Sequence, residues 1–308
     1  MDIDRNRESA ETKRKRRLRR RLLQIAIIAI GAAIIIAIIA VVNYALDSYA
    51  AKKAEEEAAA AAAAAEAEND DSELMINIKY LWYFDETREE RYIAFAAARP
   101  ELSYEEVCWM VNVDLDRAPY TMTTEVSNPK DIRVLVTKQF YLPEGFAPDD
   151  LISVSDAQLR KEAGDALNEM MRAAWAEGHT LWTTSGFRTF EKQEQLYNGY
   201  MERDGQAVAD TFSARPGYSE HQTGLALDLN NVEDAFGDTP EGKWVAENCW
   251  EYGFIVRYTK ENTDITRFKP EPWHVRYIGI DAAKKMHDEK IASFEEYWVK
   301  YVLFSVGL

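Results

Sequence analysis

Two histidines and an aspartate in this sequence are of the side-chain types that hold a catalytic metal ion. His221 and Asp228 belong to one short motif that begins at Ser219, and His274 follows after a longer interval. Two imidazole nitrogens and one carboxylate oxygen can hold catalytic zinc and leave a fourth position for water. Glu271 is a further carboxylate, close to His274 in sequence, that could take a proton from that water. The pattern therefore predicts a hydrolytic centre with one zinc ion.

The segment that contains Asp228 has the alternation of a short strand. Leucine occupies every second position of 225–229, which predicts that the leucines enter the core and Asp228 faces the opposite side. A buried carboxylate without a partner is costly, so a metal ion or a salt bridge must accompany an inward Asp228. Pro272 disfavours a helix at Glu271, so Glu271 and His274 are predicted to end a loop and begin a strand.

Helix and strand patterns are mixed along the part of the chain that carries these residues. Ser103 and Glu106 form a predicted capping box, which starts a helix in a short helical subdomain at 73–129. Residues 130–308 are predicted to be the catalytic domain, and their mixed order of elements indicates an α+β fold. The expected strands lie at 132–142, 180–185, 224–230 and 274–278, and the expected helices at 155–178, 190–201 and 240–252.

The N-terminal region has a different composition from the rest of the chain. The 308 residues have a formal net charge of −16, yet residues 1–21 contain ten Lys and Arg against four acids. Residues 22–42 then contain no charged side chain, and Gln24 is their one strongly polar member. This run is long enough to cross a bilayer as a helix, which favours a membrane anchor over a core helix or a cleaved signal peptide. The basic flank predicts a cytoplasmic N-terminus and an extracellular remainder.

The segment between the predicted anchor and the globular part is rich in alanine and glutamate. Residues 43–72 are predicted to be a stalk that lifts the catalytic part off the membrane, either as a helix or as a disordered linker. The basic residues before the anchor could contact nucleic acid, but their position beside an apolar run makes topology the simpler cause. We expect no nucleic acid partner, and the sequence implies no protein partner. Cys108 and Cys249 are predicted to be buried free thiols, although an oxidising exterior would permit a bond.

Four ordered motifs within about residues 130–280 resemble the VanY-type D-alanyl-D-alanine carboxypeptidases of the M15B peptidase group. The motifs are Ser185–Thr189, Pro216–Asp228, Tyr252–Tyr258 and Glu271–His274. The resemblance implies a small antiparallel sheet with flanking helices around a zinc cleft. It also implies zinc ligation by His221, Asp228 and His274, catalysis by Glu271 and Arg188, and substrate contacts from Ser219, Gln193 and Tyr258.

Together with the predicted anchor, the resemblance implies the function of a membrane-anchored zinc carboxypeptidase. Its expected substrates are peptidoglycan stem peptides, from which it would remove the C-terminal D-alanine. An L,D-carboxypeptidase, an endopeptidase on the same polymer and a wall-binding module without catalysis are the alternatives. The presence of Glu271 and Arg188 beside the ligand set argues against the last, because a binding module needs no base next to a metal.

Overall fold

The computed structural model describes residues 3–304, with side-chain burial for residues 11–46, 48–60 and 73–304. The chain forms two compact units, the first ending at Glu73 and the second starting at Leu74. Helix α1 spans Ile3–Ile78 and includes the alanine-rich segment 43–72 in helical form. Within the described residues, Glu11–Ala60 is the one helical stretch long and apolar enough to cross a membrane, by length and composition. It is a candidate span, and none of its most apolar window is buried.

Two short helices follow α1 and share a core with the C-terminal helices. They are α2, Glu89–Ala98, and α3, Tyr104–Asn112. The capping box at the start of α3 is confirmed: the Ser103 hydroxyl accepts from the Glu106 N–H, and the Glu106 carboxylate accepts from the Ser103 N–H at 2.8 Å. Six consecutive residues of α3 from Val107 onward are buried, which anchors this helix in the second unit.

Two small strand pairs precede the main sheet. Strands β1, Thr124–Glu125, and β2, Phe140–Tyr141, pair in parallel, and β3, Leu151–Val154, pairs with β4, Ala157–Arg160, as an antiparallel hairpin. The predicted strand 132–142 is therefore wrong except for Phe140 and Tyr141. The segment turns instead, because Asp131 accepts the N–H of Arg133 on its side chain and that of Val134 on its carbonyl.

The helix predicted to start at Ser155 begins later, as α4, Lys161–Ala176. Ser155 lies in the turn of the β3–β4 hairpin with φ of 50°, a left-handed conformation that a helix start does not have. Leu159, within the predicted helix, is fully buried and reaches the core from strand β4.

The site lies on a four-stranded antiparallel sheet in the order β5-β6-β8-β7. The strands are β5, Thr183–Ser185, β6, Ala226–Leu229, β7, Phe254–Tyr258, and β8, Glu271–Tyr277. The remaining helices are α5, Phe190–Asp204, α6, Gln206–Ala209, α7, Pro240–Asn248, α8, Thr263–Thr266, α9, Ile280–Glu289, and α10, Phe294–Trp298. This mixture of helices with a small sheet confirms the predicted fold class.

The core forms as the alternation in β6 predicts. The three leucines of 225–229 are fully buried, and they pack with the apolar face of α4. The predicted helix 240–252 is formed by α7 and the 3-10 helix that follows it, which ends at Gly253 with φ of 82°. Cys108 and Cys249 are both buried and free, as predicted.

Candidate metal centre

Strand pairing places two of the predicted ligands side by side. Asp228 in β6 is the direct cross-strand partner of His274 in β8, and Ser185 in β5 is paired with Asp228 on its other side. Directly opposite residues on antiparallel strands lie within side-chain contact. Since side chains of a strand alternate between faces, the leucines of β6 take the core face and leave Asp228 on the face of the site.

The third predicted ligand, His221, is held by backbone groups. It lies in a 3-10 helix, Glu220–Thr223, that ends at Gly224 before β6 begins. The Nδ1 of His221 lies 2.8 Å from the carbonyl oxygen of Gly186, and the N–H of Arg188 donates to the carbonyl of His221. A Cβ at position 186 would lie 2.5 Å from the backbone oxygen of Gln158. The close approach of these two backbone segments therefore requires glycine at 186. The arrangement leaves Nε2 of His221 available to a metal.

His221, Asp228 and His274 form a compact group of metal-binding atoms. One ligand atom from each residue lies within 4.8 Å of the others, and all three residues are buried. Nε2 of His221 is 3.4 Å from Oδ2 of Asp228, and Nδ1 of His274 is 3.2 Å from Oδ1 of Asp228. Tetrahedral zinc with bonds of about 2.0–2.1 Å separates its ligand atoms by roughly 3.3 Å. The residues therefore fit a zinc ion in donor type, number and spacing.

The electrostatics of the group suit a cation. Burial lowers the pKa of His221, which favours the neutral imidazole that a metal requires. Burial opposes ionisation of Asp228, but the neighbouring His221 and His274 hold the pKa of that carboxyl below its ordinary value. Burial likewise opposes the charged form of His274, yet hydrogen bonds to Asp228 and Glu220 raise its pKa to about 9. Positive charge is thus stabilised at this position.

Glu271 stands beside the ligands as the first residue of β8, paired with Tyr258 of β7. Its Oε2 is 4.0 Å from Nδ1 of His274, and its side chain is mostly buried. Burial raises the pKa of Glu271 to about 7, in the range useful for proton transfer near neutral pH.

Arg188 is fixed from two sides. Its Nη1 donates to Oε1 of Gln193 at 2.7 Å, its Nη2 donates to the Ser185 hydroxyl at 3.0 Å, and Nη2 lies 4.0 Å from Asp228. The side-chain amide nitrogen of Gln193, in α5, donates a hydrogen bond to the carbonyl of Ala214. Both ends of the Gln193 side chain are therefore engaged within the protein, and it positions Arg188.

All eight predicted site residues line one cavity of about 500 Å³. Ser219 is buried just before the 3-10 helix of His221. The ring of Tyr258 lies against His274 with centroids 4.9 Å apart, and burial raises the pKa of its hydroxyl. The wall is completed by Tyr200, Glu220, Trp273 and residues 212–214, 232–234 and 268–269. The structure therefore brings together every residue that the sequence nominated.

A buried charge network behind the ligands was missed by sequence reasoning. Glu220 accepts from Arg257 and Arg276 on the same oxygen, at 2.9 Å each. Arg257 also forms a two-pronged pair with Glu295, at 3.1 and 2.6 Å. Each of these side chains is at most 2% exposed. The available signal was an arginine in a largely apolar segment at each of two positions, Arg257 and Arg276, since a buried arginine needs a carboxylate partner.

A His–Asp–His group with a neighbouring glutamate and arginine, in a cleft at a small antiparallel sheet, is typical of metal-dependent hydrolases. Comparison with known proteins is more specific. Residues 156–280 match the VanY family, described as D-alanyl-D-alanine carboxypeptidase. The chain is 40% identical over 191 residues to the putative carboxypeptidase YodJ of Bacillus subtilis, covering 57% of this chain and 70% of the relative.

Two further relatives support the same assignment. The bifunctional D-Ala-D-Ala dipeptidase and D-Ala-D-Ala carboxypeptidase VanXYC of Enterococcus gallinarum is 31% identical over 175 residues, covering 53% of this chain and 91% of the relative. The solved structure of the LdcB LD-carboxypeptidase is 40% identical, with a TM-score of 0.55, covering 58% of this chain and 91% of that one. The chain belongs to the VanY family of carboxypeptidases.

Proposed function

We propose that this protein is a membrane-anchored zinc carboxypeptidase that removes the C-terminal D-alanine from peptidoglycan stem peptides. The observation that carries the proposal is the convergence of His221, Asp228 and His274 at zinc-ligand spacing, with Glu271 and Arg188 in the same cavity. VanXYC, which this chain matches over most of its length, is named as a D-Ala-D-Ala dipeptidase and carboxypeptidase. The family and the site therefore point to the same reaction.

In this proposal the chain's own residues divide the work of hydrolysis. Zinc, when bound by His221, Asp228 and His274, would act as a Lewis acid and lower the pKa of water at the site. Glu271 takes a proton from the attacking water and returns it to the amine of the departing D-alanine. Burial raises the pKa of Glu271, which favours its taking up a proton. Ser219 and Tyr258 line the cavity in which the peptide is held.

Arg188 is proposed to stabilise the negative charge that develops on the carbonyl oxygen. Its guanidinium is held by Gln193 and Ser185, so it is oriented before substrate arrives. We expect Arg188→Ala to lower kcat by about 10²–10³, the usual cost of losing one oxyanion donor. Arg172→Ala, on the exposed surface of α4, is the matched control. A loss below tenfold in Arg188→Ala, measured by steady-state kinetics, would remove Arg188 from this role.

The substrate proposal is tested by measuring free D-alanine released from two stem peptides by the full-length chain in detergent. A pentapeptide ending in D-Ala-D-Ala should be cleaved, and a tetrapeptide ending in a single D-alanine should not. The similarity to the LdcB LD-carboxypeptidase favours a second candidate, an L,D-carboxypeptidase, which would show the reverse preference. Release from neither peptide, with zinc bound, would contradict both and favour an endopeptidase or a wall-binding module.

Residues 22–42 of α1 are proposed to cross the membrane once, with residues 1–21 in the cytoplasm and the cavity outside. The apolar character of this stretch and its basic flank support the proposal. In intact cells, we expect an N-terminal tag to be protected from added protease and a C-terminal tag to be digested. Ile28→Arg combined with Ile34→Arg should release the protein from the membrane, since each central charge costs about 2.5–3.5 kcal/mol. An accessible N-terminal tag would reverse the proposed orientation.

A further inference from the structure

Glu220 touches the candidate ligand group through one oxygen only. Its Oε2 faces Nε2 of His274 at 3.5 Å, and both residues are buried. Neither atom has a hydrogen-bond partner among the described residues. A buried carboxylate oxygen and a buried ring nitrogen that face each other and nothing else are natural partners, because each would otherwise lack a hydrogen bond.

The other oxygen of Glu220 is already committed. Oε1 accepts from Nε of Arg257 and from Nη1 of Arg276, at 2.9 Å each. Arg276 is further held by the carbonyls of Ile132 and Val134, and Arg257 by Glu295. These contacts fix the carboxylate plane of Glu220, so the direction in which Oε2 points is set by four other segments of the chain.

The opposite edge of the His274 ring faces the metal site. Nδ1 of His274 lies 3.2 Å from Oδ1 of Asp228, on the side where the candidate ligand atoms converge. A histidine ligand needs the metal-facing nitrogen without a proton, and the hydrogen bond made by the other nitrogen decides which one that is. Glu220 can only accept at Nε2, so it favours the tautomer with the proton there and leaves Nδ1 to a metal.

We propose that Glu220 is a positioning residue that fixes the ring orientation and tautomer of His274 for metal binding. This rests on the proposed function, because it assumes that His274 is a zinc ligand. His221 has the opposite arrangement, with Nδ1 bonded to the Gly186 carbonyl and Nε2 toward the metal. The two histidine ligands of the site therefore carry their protons on different nitrogens, and each tautomer is set by a different kind of acceptor.

A purely structural role for Glu220 is the competing account. In that account the carboxylate serves to neutralise the two buried arginines, and its loss would destabilise the fold without a specific effect on the metal. Glu295 provides the comparison, because it is equally buried and pairs with Arg257, yet no contact joins it to His274 among the described residues. Glu295→Gln removes the same charge from the same network without altering the partner of Nε2.

Glu220→Gln makes a sharp test because the two arginines decide how the new amide is oriented. They donate to the position of Oε1, so the amide oxygen must lie there and the NH₂ group must face Nε2 of His274. A donor at that position requires Nε2 without a proton, which transfers the proton to Nδ1. The substitution would thus turn the tautomer of His274 against metal binding while keeping the shape of the side chain.

The experiment is zinc affinity of the full-length chain, measured by competition with a chromogenic chelator for wild type, Glu220→Gln and Glu295→Gln. We expect Glu220→Gln to bind zinc about 10–100-fold more weakly and Glu295→Gln to stay within roughly threefold of wild type. Equal losses in the two variants, or no loss in Glu220→Gln, would overturn the proposal. If wild type itself binds no zinc, the proposed function fails instead, so the two failures are distinguishable.

A second measurement applies even if Glu220→Gln does not fold. Histidine-labelled wild type, loaded with zinc, has four histidines whose ring nitrogens can be assigned by long-range proton–nitrogen NMR correlation. We expect a protonated Nε2 in His274 and a protonated Nδ1 in His221. A proton on Nδ1 of His274 would contradict the inference directly.

Discussion

Removal of bound metal with a chelator is expected to abolish release of D-alanine, and addition of one zinc ion per chain is expected to restore it. The reason is the composition of the site, in which His221, Asp228 and His274 offer three converging donors and leave the remaining position to water and substrate. Activity and zinc content would be measured on the same samples, so that the return of activity can be compared with the number of ions bound.

Two histidine variants give this prediction a matched control. His221→Ala should lose both zinc and activity, because no other nitrogen among the described residues lies at its place in the ligand group. His179→Ala should lose neither, since His179 lies in the loop between α4 and β5 and is absent from the wall of the cavity. Full activity in protein shown to be free of metal would refute the zinc mechanism.

Glu271→Gln is expected to lower kcat by about 10²–10⁴ while zinc binding persists. The amide keeps the size of the side chain and its place at the start of β8, but it cannot accept and return a proton. Because Glu271 is not one of the three converging ligands, its loss should leave the metal in place. The measurement is kcat together with the zinc content of the purified variant.

Glu194→Gln, one turn into α5 with an exposed side chain, is the control for removal of one negative charge. It should retain wild-type kinetics. If Glu271→Gln retains more than a tenth of the wild-type kcat, another group must act as the base. If it loses zinc as well as activity, Glu271 contributes to binding the metal and the proposed division of roles is wrong.

The residues of the candidate site could be predicted from the sequence, because their side-chain types and the alternation of apolar residues around them indicate both the chemistry and the face of the strand. The alternation around Asp228 predicts its face, and Pro272 correctly excludes a helix that would carry Glu271 and His274 together. The cross-strand pairing of Asp228 with His274 is a different matter, because register depends on strands that are distant in sequence. Sequence proposed the ligands, and pairing of the strands brings them together.

Elements with ambiguous local patterns were less predictable. Leu159 fits both the apolar stripe of a helix and the inner face of a strand, and the left-handed turn at Ser155 decides in favour of the hairpin. The role of Glu220 was invisible for another reason. Its partners Arg257 and Arg276 lie 37 and 56 residues away, and a carboxylate inside a recognised motif gives no sign of which buried cations it meets.

The pairing of Asp228 with His274 also means that the complete ligand group exists only in the folded chain. These two residues are 46 positions apart in the chain, and they meet only when β6 and β8 have joined in the correct register. In an unfolded chain only His221 and Asp228, which belong to one short motif, are neighbours, and His274 joins them when the sheet forms. If the site binds zinc, the ion would stabilise the folded sheet by mass action, because the complete ligand group exists only there. Zinc supply would then affect both the active fraction of the protein and the stability of its folded state.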